Sequence, residues 1–268
     1  MADAEAWRDY LPLAHRLADA SGAVILRYFR QALAIEDKDH IAGYSPVTVA
    51  DREAEAAIRA LIEEACPDHG ILGEEYGHER PDARFTWIID PIDGTKAFIS
   101  GMTTWGTLIA LQDQGQGIIG VLNQPYLGER FVGHGEGAYL GERRLQTRPC
   151  DRLGDAVLYA TEPDMFSPTE RAGFDALADR VRLRRFGADC YAYGMLAAGF
   201  IDLVVEASMN IWDIAALIPV VEGAGGRVTA WDGGPVGADG RVLAVGDPRL
   251  QAAALEILAP AAAASQRS

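Results

Sequence analysis

The run WIIDPIDGTKAFISG, residues 87–101, constrains this chain more than any other stretch. An apolar segment stops on Asp90, and a second carboxylate, Asp93, follows three residues later, just ahead of Gly94 and Thr95. Like charges that close repel, and burying them costs free energy unless something positive lies between them. Residues 85–90 read as a buried strand that delivers Asp90 at its C-terminal end. Pro91 stiffens the turn by fixing its own φ and restricting Asp90. Gly94 lets the backbone come close to a ligand. Thr95 opens a short helix whose unpaired N–H groups suit a phosphate. A cation site and an anion site then lie side by side, and hard carboxylate oxygens suit magnesium. A bare DxxDG also fits a simple turn with Asp93 as a helix cap.

Elsewhere, residues 5–30 and 51–65 carry apolar side chains at helical spacing, and GILGEEYG reads as a short strand entering an acidic turn. Residues 105–145 read as an antiparallel meander, with GHGEGAYLG as a hairpin turn rather than a phosphate loop, because β-like AYL follows it. Beyond residue 150 the rhythm alternates. Strands are predicted over 156–161, 182–186, 201–206, 226–230 and 241–245, with helices over 168–180, 189–199, 213–224 and 248–258 and a frayed tail, APAAAASQRS. This predicts two subdomains packed without a linker: 1–145, α+β with the meander, and 146–268, alternating α/β.

Composition narrows the function classes. No run approaches the ~18 apolar residues of a membrane span, and the acidic N-terminus lacks a signal pattern, so a cytoplasmic protein is expected. Three widely spaced cysteines indicate neither a disulfide framework nor a zinc site. A formal charge of -15 argues against a nucleic-acid partner and fits a cation site or a solvated acidic surface.

Two more segments join the carboxylates of the opening stretch. Glu74 and Glu75 close GEE at 73–75, and Asp213 lies where a turn enters the apolar helix of WDIAALIPVVEGAGG, 212–226. Together with DPIDGT at 90–95, these resemble the three motifs of the inositol monophosphatase-like family of metal-dependent phosphatases, in order and over nearly the whole chain. The resemblance implies an α+β or α/β fold, the five-layer αβαβα sandwich of the inositol monophosphatase and fructose-bisphosphatase type. It implies two to three Mg²⁺ ions held by Glu74, Asp90, Asp93, Asp213 and the backbone carbonyl of Ile92. VTVADREAE also matches, which implies that Asp51 pairs with Thr95. The implied mechanism has one ion, on Glu74 and Asp90, acidifying a water that Thr95, oriented by Asp51, positions and helps deprotonate. A second ion, on Asp90, Asp93 and Asp213, stabilises the departing oxygen, while Gly94 and Thr95 N–H groups grip the phosphate. A homodimer is also carried over. Histidines 15, 40, 69, 78 and 134 stand in no motif and read as structural or surface residues.

The substrate is less constrained. Inositol-type members usually follow the motif threonine with Thr-Asn-Phe, and here the chain has Lys-Ala-Phe, 96–98. RFGADCYAYGMLAAGFIDLVVE, 185–206, resembles the histidinol-phosphate phosphatase branch. Asp189 and Glu206 then fall in the substrate region, with Arg185 orienting Asp189, and Thr161 and Asn210 adding polar contacts. Asp189 also fits a helix cap, and Glu206 a strand-end surface charge. The expected substrate is a small phosphate monoester, L-histidinol phosphate first, with inositol or sugar monophosphates as the alternative. A further alternative is a scaffold member that binds transcription machinery. A bisphosphate would need a second anion pocket, and no basic cluster is evident that must provide one, although Arg182, Arg184 and Arg185 lie close in sequence.

Overall fold

The structure is a computed structural model that describes residues 5–31, 36–37 and 46–265. His40 and the last three residues of the tail lie outside the described residues. Helix α1 (Trp7–Ile25) leads to a two-residue ladder, β1 (Glu36–Asp37) and β2 (Pro46–Val47), and then to α2 (Val49–Ala65). The first sheet follows: β3 (Gly70–Gly73), β4 (Gly77–Glu79), β5 (Phe85–Asp93), β6 (Gly106–Asp113), β7 (Gln116–Gln124), β8 (Glu129–His134), β9 (Gly137–Leu140) and β10 (Arg143–Arg144), with α3 (Thr95–Ile99) after β5. Its order is β10-β9-β8-β7-β6-β5-β3-β4, parallel between β3 and β5 and antiparallel elsewhere.

The second sheet runs β12-β11-β13-β15-β14. It is built from β11 (Val157–Ala160), α4 (Pro168–Ala178), β12 (Leu183–Phe186), α5 (Tyr191–Ala197), β13 (Leu203–Glu206), α6 (Ile211–Ile214), α7 (Leu217–Gly223), β14 (Arg227–Thr229), β15 (Val242–Val245) and α8 (Gln251–Ser265). Its β11 pairs are parallel and its β15 pairs antiparallel.

Side-chain alternation along the strands stacks these elements into five layers. Trp87, Ile89, Ile109 and Leu111 point to one face, against Leu17 of α1 and Ile58 and Ile62 of α2. Ile88, Leu108 and Leu122 point to the other, where Tyr193 of α5 and Leu217 and Val221 of α7 meet them. Val204, Val242 and Ala244 close that central layer from the second sheet. Leu203, Val205 and Val245 face outward onto Phe174 of α4 and Leu258 of α8. Because both faces are covered, β5 reads as a continuous apolar run rather than an alternating one. The same parity decides the polar ends. Asp90 shares the face of Ile88, and Glu206 shares that of Val204, so both aim into the central layer.

Two cross-strand glycines let the central helices come close. Gly120 and Gly133 pair across β7 and β8. A Cβ on Gly120 would sit 2.0 Å from the Ala216 carbonyl oxygen, and one on Gly133 would sit 2.1 Å from that of Pro219. The backbone at the start of α7 therefore rests directly on the sheet, and the preceding turn of α6 carries Asp213 over the end of β5.

Several expectations are refined. The strand over 85–90 continues to Asp93 through a register shift at 91–92, so both aspartates sit on one irregular strand. The helix over 213–224 is two short helices. The tail is helical through Ser265, with Pro260 inside α8, because its apolar side chains pack on the second sheet. Among the described residues, no helix is long and apolar enough to cross a membrane. We expect Gly133→Ala to lower unfolding free energy by about 1–3 kcal/mol in chemical denaturation, because backbone rather than a mobile side chain must give way.

Candidate active site

A cleft of about 510 Å³ opens where the end of β5 meets α5, α6 and the end of β13. Asp90, Asp93 and Asp213 line it, and one carboxylate oxygen from each lies within 4.8 Å of the others. Burial is the first cause of a raised pKa in all three. Glu74 and Asp93 then add to Asp90, which is pushed well above the usual carboxylate range. Asp213 and Asp189 do the same for Asp93, also pushed well up. Asp213 is raised to about 7, with Glu74 contributing. Asp90 Oδ1 is buried and has no hydrogen-bond partner. A buried, orphaned carboxylate oxygen inside an all-oxygen cluster fits a hard divalent cation, which would satisfy it and offset the repulsion.

Local structure explains how each ligand is held. Asp93 Oδ2 accepts the Cys190 N–H at 2.8 Å, which ties the first sheet to α5. Asp213 is the third residue of α6, and its Oδ2 accepts the backbone N–H of Asn210 at 2.7 Å, as in a capping box. Asn210 is the cap itself and turns its amide toward Asp213 at 3.4 Å. Glu74 lines the cleft from the β3–β4 turn but stands outside the tight group of three.

That turn has a buried support which the motif reading did not anticipate. Glu55 of α2 accepts the N–H groups of Glu75 at 2.8 Å and Tyr76 at 3.2 Å, and Arg59 holds Glu55 at 2.8 Å. Gly73 makes room, since a Cβ there would lie 1.9 Å from Glu55 Oε1. The sequence signal for this was the Glu55 and Arg59 pair at i, i+4, which reads equally as a solvated helix face.

Gly94 has φ +80°, and a Cβ there would meet Asp189 Cβ at 2.9 Å and the Trp105 backbone at 3.2 Å, so only glycine fits. The Thr95 hydroxyl donates to the Ile92 carbonyl at 3.0 Å. The expected Asp51–Thr95 pairing is therefore corrected. Asp51 is the third residue of α2, and its Oδ2 accepts both the N–H and the hydroxyl of Thr48, at 2.9 and 2.7 Å. The hydrogen bonds of the Asp51 carboxylate go to Thr48 in this capping box, and the Thr95 hydroxyl turns to Ile92 instead. Burial, reinforced by Glu75 and Glu74, raises Asp51 to about 6.

On the opposite wall, Glu206 is buried and not a surface charge. Its Oε1 accepts the Thr161 N–H at 3.0 Å and hydroxyl at 2.7 Å, so Thr161 positions Glu206. Burial raises Glu206 to about 8. Asp189 does not cap α5. It has φ +44° and accepts the Thr104 hydroxyl at 3.0 Å. Burial raises its pKa as well. Arg185 requires a correction. It is exposed on the edge strand β12 and lines no part of the cleft, because Gly187 at φ +84° turns the chain away before Asp189. Arg184 pairs with Asp175 instead, at 3.3 Å. Tyr193 was also missed: its hydroxyl is buried in the cleft wall without a partner. None of the described histidines lines the cleft.

A five-layer sandwich with an acidic cleft between its two sheets defines a class: layered α/β proteins whose seam carries a carboxylate cluster that could hold a divalent cation. The chain belongs to the inositol monophosphatase family, whose family model matches residues 7–267, and it is a phosphoric monoester hydrolase. It is 42% identical over 261 residues to the bifunctional phosphatase IMPL2, chloroplastic, of Arabidopsis thaliana, covering 93% of this chain and 75% of the relative. It is 38% identical to the histidinol-phosphatase of Mycobacterium tuberculosis, over 85% of this chain and 91% of that one. An inositol monophosphatase from Zymomonas mobilis superposes with a TM-score of 0.87 at 43% identity, over 95% of this chain and 99% of that one.

The raised carboxylates fix the sign of a pH effect. An unfolded aspartate titrates near pH 4, so between about 4 and 7 the native state holds more protons and stability falls as pH rises. We expect Tm in chelator to drop by several degrees from pH 5 to pH 8, and excess divalent cation to abolish most of that drop. A Tm that rises with pH in chelator contradicts the assignment.

Proposed function

We propose that this phosphatase hydrolyses L-histidinol phosphate to L-histidinol and phosphate, with Mg²⁺ as its ion. The observation that carries the reading is a second pair of carboxylates, Asp189 and Glu206, that line the same cleft beside the Asp90, Asp93 and Asp213 cluster without belonging to it. Both are buried enough to have raised pKa values, so each gains from a cationic partner. L-histidinol phosphate brings an ammonium and an imidazole, whereas an inositol phosphate brings hydroxyls. Relatives named histidinol-phosphatase support the same choice. Among the described residues lining the cleft, Lys96 is the single base, which leaves a bisphosphate without a second anion subsite.

In this reading Glu74, Asp90, Asp93, Asp213 and the Ile92 carbonyl hold two to three Mg²⁺ ions. When bound, Mg²⁺ supplies Lewis-acid neutralisation of the phosphate oxygens and a more acidic water. The N–H groups of Gly94 and Thr95 bind the phosphate. The Thr95 hydroxyl, anchored on Ile92, orients the attacking water. Asp51, buried behind the turn that carries Glu74, biases the local charge and holds α2 in register through Thr48. Asp189 and Glu206 orient the alcohol portion, with Glu206 fixed by Thr161. Asn210 acts through Asp213, whose carboxylate it aims.

We expect Asp93→Asn to lower turnover on the order of 10³-fold while the folded circular-dichroism signal is kept, since one ligand charge at the phosphate centre is lost. Near-normal rates would remove Asp93 from the ion site. Phosphate release from L-histidinol phosphate, inositol 1-phosphate and p-nitrophenyl phosphate tests the substrate. L-histidinol phosphate should lead, and Asp189→Ala should cost it about 10–100-fold in kcat/KM while sparing the aryl ester. Preference for inositol 1-phosphate, or equal losses on both esters, would sink the reading.

A further inference from the structure

Eight carboxylates line the cleft, and four of them, Glu74, Asp90, Asp93 and Asp213, belong to the ion end. The other four are Glu162, Asp164, Asp189 and Glu206, and among the described residues lining the cleft they share a single cation, Lys96. Lys96 Nζ lies 2.7 Å from Glu162 Oε1, with side chains 52% and 38% exposed. The pair spans the cleft between the two halves of the fold. Lys96 follows Thr95 in α3, and Glu162 follows Thr161 beyond the end of β11. An ion pair this exposed contributes only about 0–1 kcal/mol, so it exchanges partners at little cost. Lys96 also favours the ionised form of Asp189, while the Glu162 charge opposes it, so both ends of the pair act on the specificity wall.

We propose that Lys96 and Glu162 form an exchangeable ion pair that selects esters with a cationic alcohol portion. Glu162 is the specificity-determining residue that takes the substrate ammonium, and Lys96 is the placeholder it displaces. The named cation rests on the substrate reading above; the preference for a cation does not. An incoming ammonium replaces the Lys96 ammonium like for like, so Glu162 keeps a charged partner throughout. A hydroxyl of a neutral polyol cannot make that exchange, because it would trade a charge-assisted contact for a neutral one. The charge count points the same way. Even with Glu206 holding its proton near neutral pH, the acids outside the ion end outnumber the one base among the described cleft residues, and a cationic alcohol reduces that excess.

The test is calorimetric titration of the full chain, with Mg²⁺ present, using L-histidinol and its deaminated analogue, 3-(imidazol-4-yl)propan-1-ol. The wild type should bind the amine-bearing alcohol about 10-fold more tightly, the size of one charge-assisted contact at a half-exposed site. Glu162→Gln should remove most of that preference, whereas Lys96→Met should widen it about 3-fold by removing the competitor. Opposite signs separate the proposal from a merely structural ion pair, whose two variants would shift binding and Tm together. Retention of the preference in Glu162→Gln, or shifts of the same sign in both variants, overturns it. Should L-histidinol phosphate prove a poor ester, the kcat/KM ratio of 2-aminoethyl phosphate to ethyl phosphate reads the same contact. Loss of that ratio in Glu162→Gln then keeps the clasp while the named substrate falls, and an unchanged ratio overturns the clasp itself.

Discussion

Mutual repulsion among Asp90, Asp93 and Asp213 is the constraint around which the rest of the molecule is arranged. Their oxygens lie within 4.8 Å of one another. At an effective dielectric near 20, each ionised pair at that distance costs roughly 3–4 kcal/mol. Three such pairs exceed what a few hydrogen bonds return, so the ionised cluster holds only against a cation or with protons bound. The protein gives two of the carboxylates a hydrogen-bond donor: Asp93 the Cys190 N–H and Asp213 the Asn210 N–H. It leaves Asp90 Oδ1 without a protein partner, which is where a cation is most needed.

Holding that cluster requires the two sheets to approach closely, and the approach is made with backbone. The paired glycines 120 and 133 let the start of α7 sit on the first sheet, and α6 follows with Asp213. The Cys190–Asp93 and Thr104–Asp189 bonds then cross between the halves from the other side of the cleft. The cleft is thus a seam whose walls come from different parts of the chain. One wall carries the Asp90, Asp93 and Asp213 cluster, and the other is a second acid-rich surface. The Lys96–Glu162 pair lies across this seam, where a ligand that touches both walls must pass.

Division of labour among the acids follows from what each oxygen already does. Asp51 and Asp213 occupy the same helical position, the third residue, and both accept the cap N–H. Asp213 nonetheless lines the cleft, whereas Asp51 points its bonded oxygen at Thr48 and works from behind. Glu55, with no motif to mark it, keeps the β3–β4 turn in place so that Glu74 reaches the cleft. Supports of this kind are decided by packing, and a motif lists only the groups that touch the ligand.

The order of strands and helices, the apolar run before Asp90, and the grouping of Asp90, Asp93 and Asp213 as neighbours were legible in the chain, because hydrophobic period and motif patterns are readable along it. The need for glycine at 94 was legible too, since a turn between strand and helix beside a ligand demands it. The burial of Glu206 behind Thr161, the capture of Asp51 by Thr48, and the exposure of Arg185 were not. Each depends on which face a residue shares with its neighbours across a sheet, or on a left-handed turn such as Gly187 and Asp189. Those are set by long-range packing, which no spacing along the chain records.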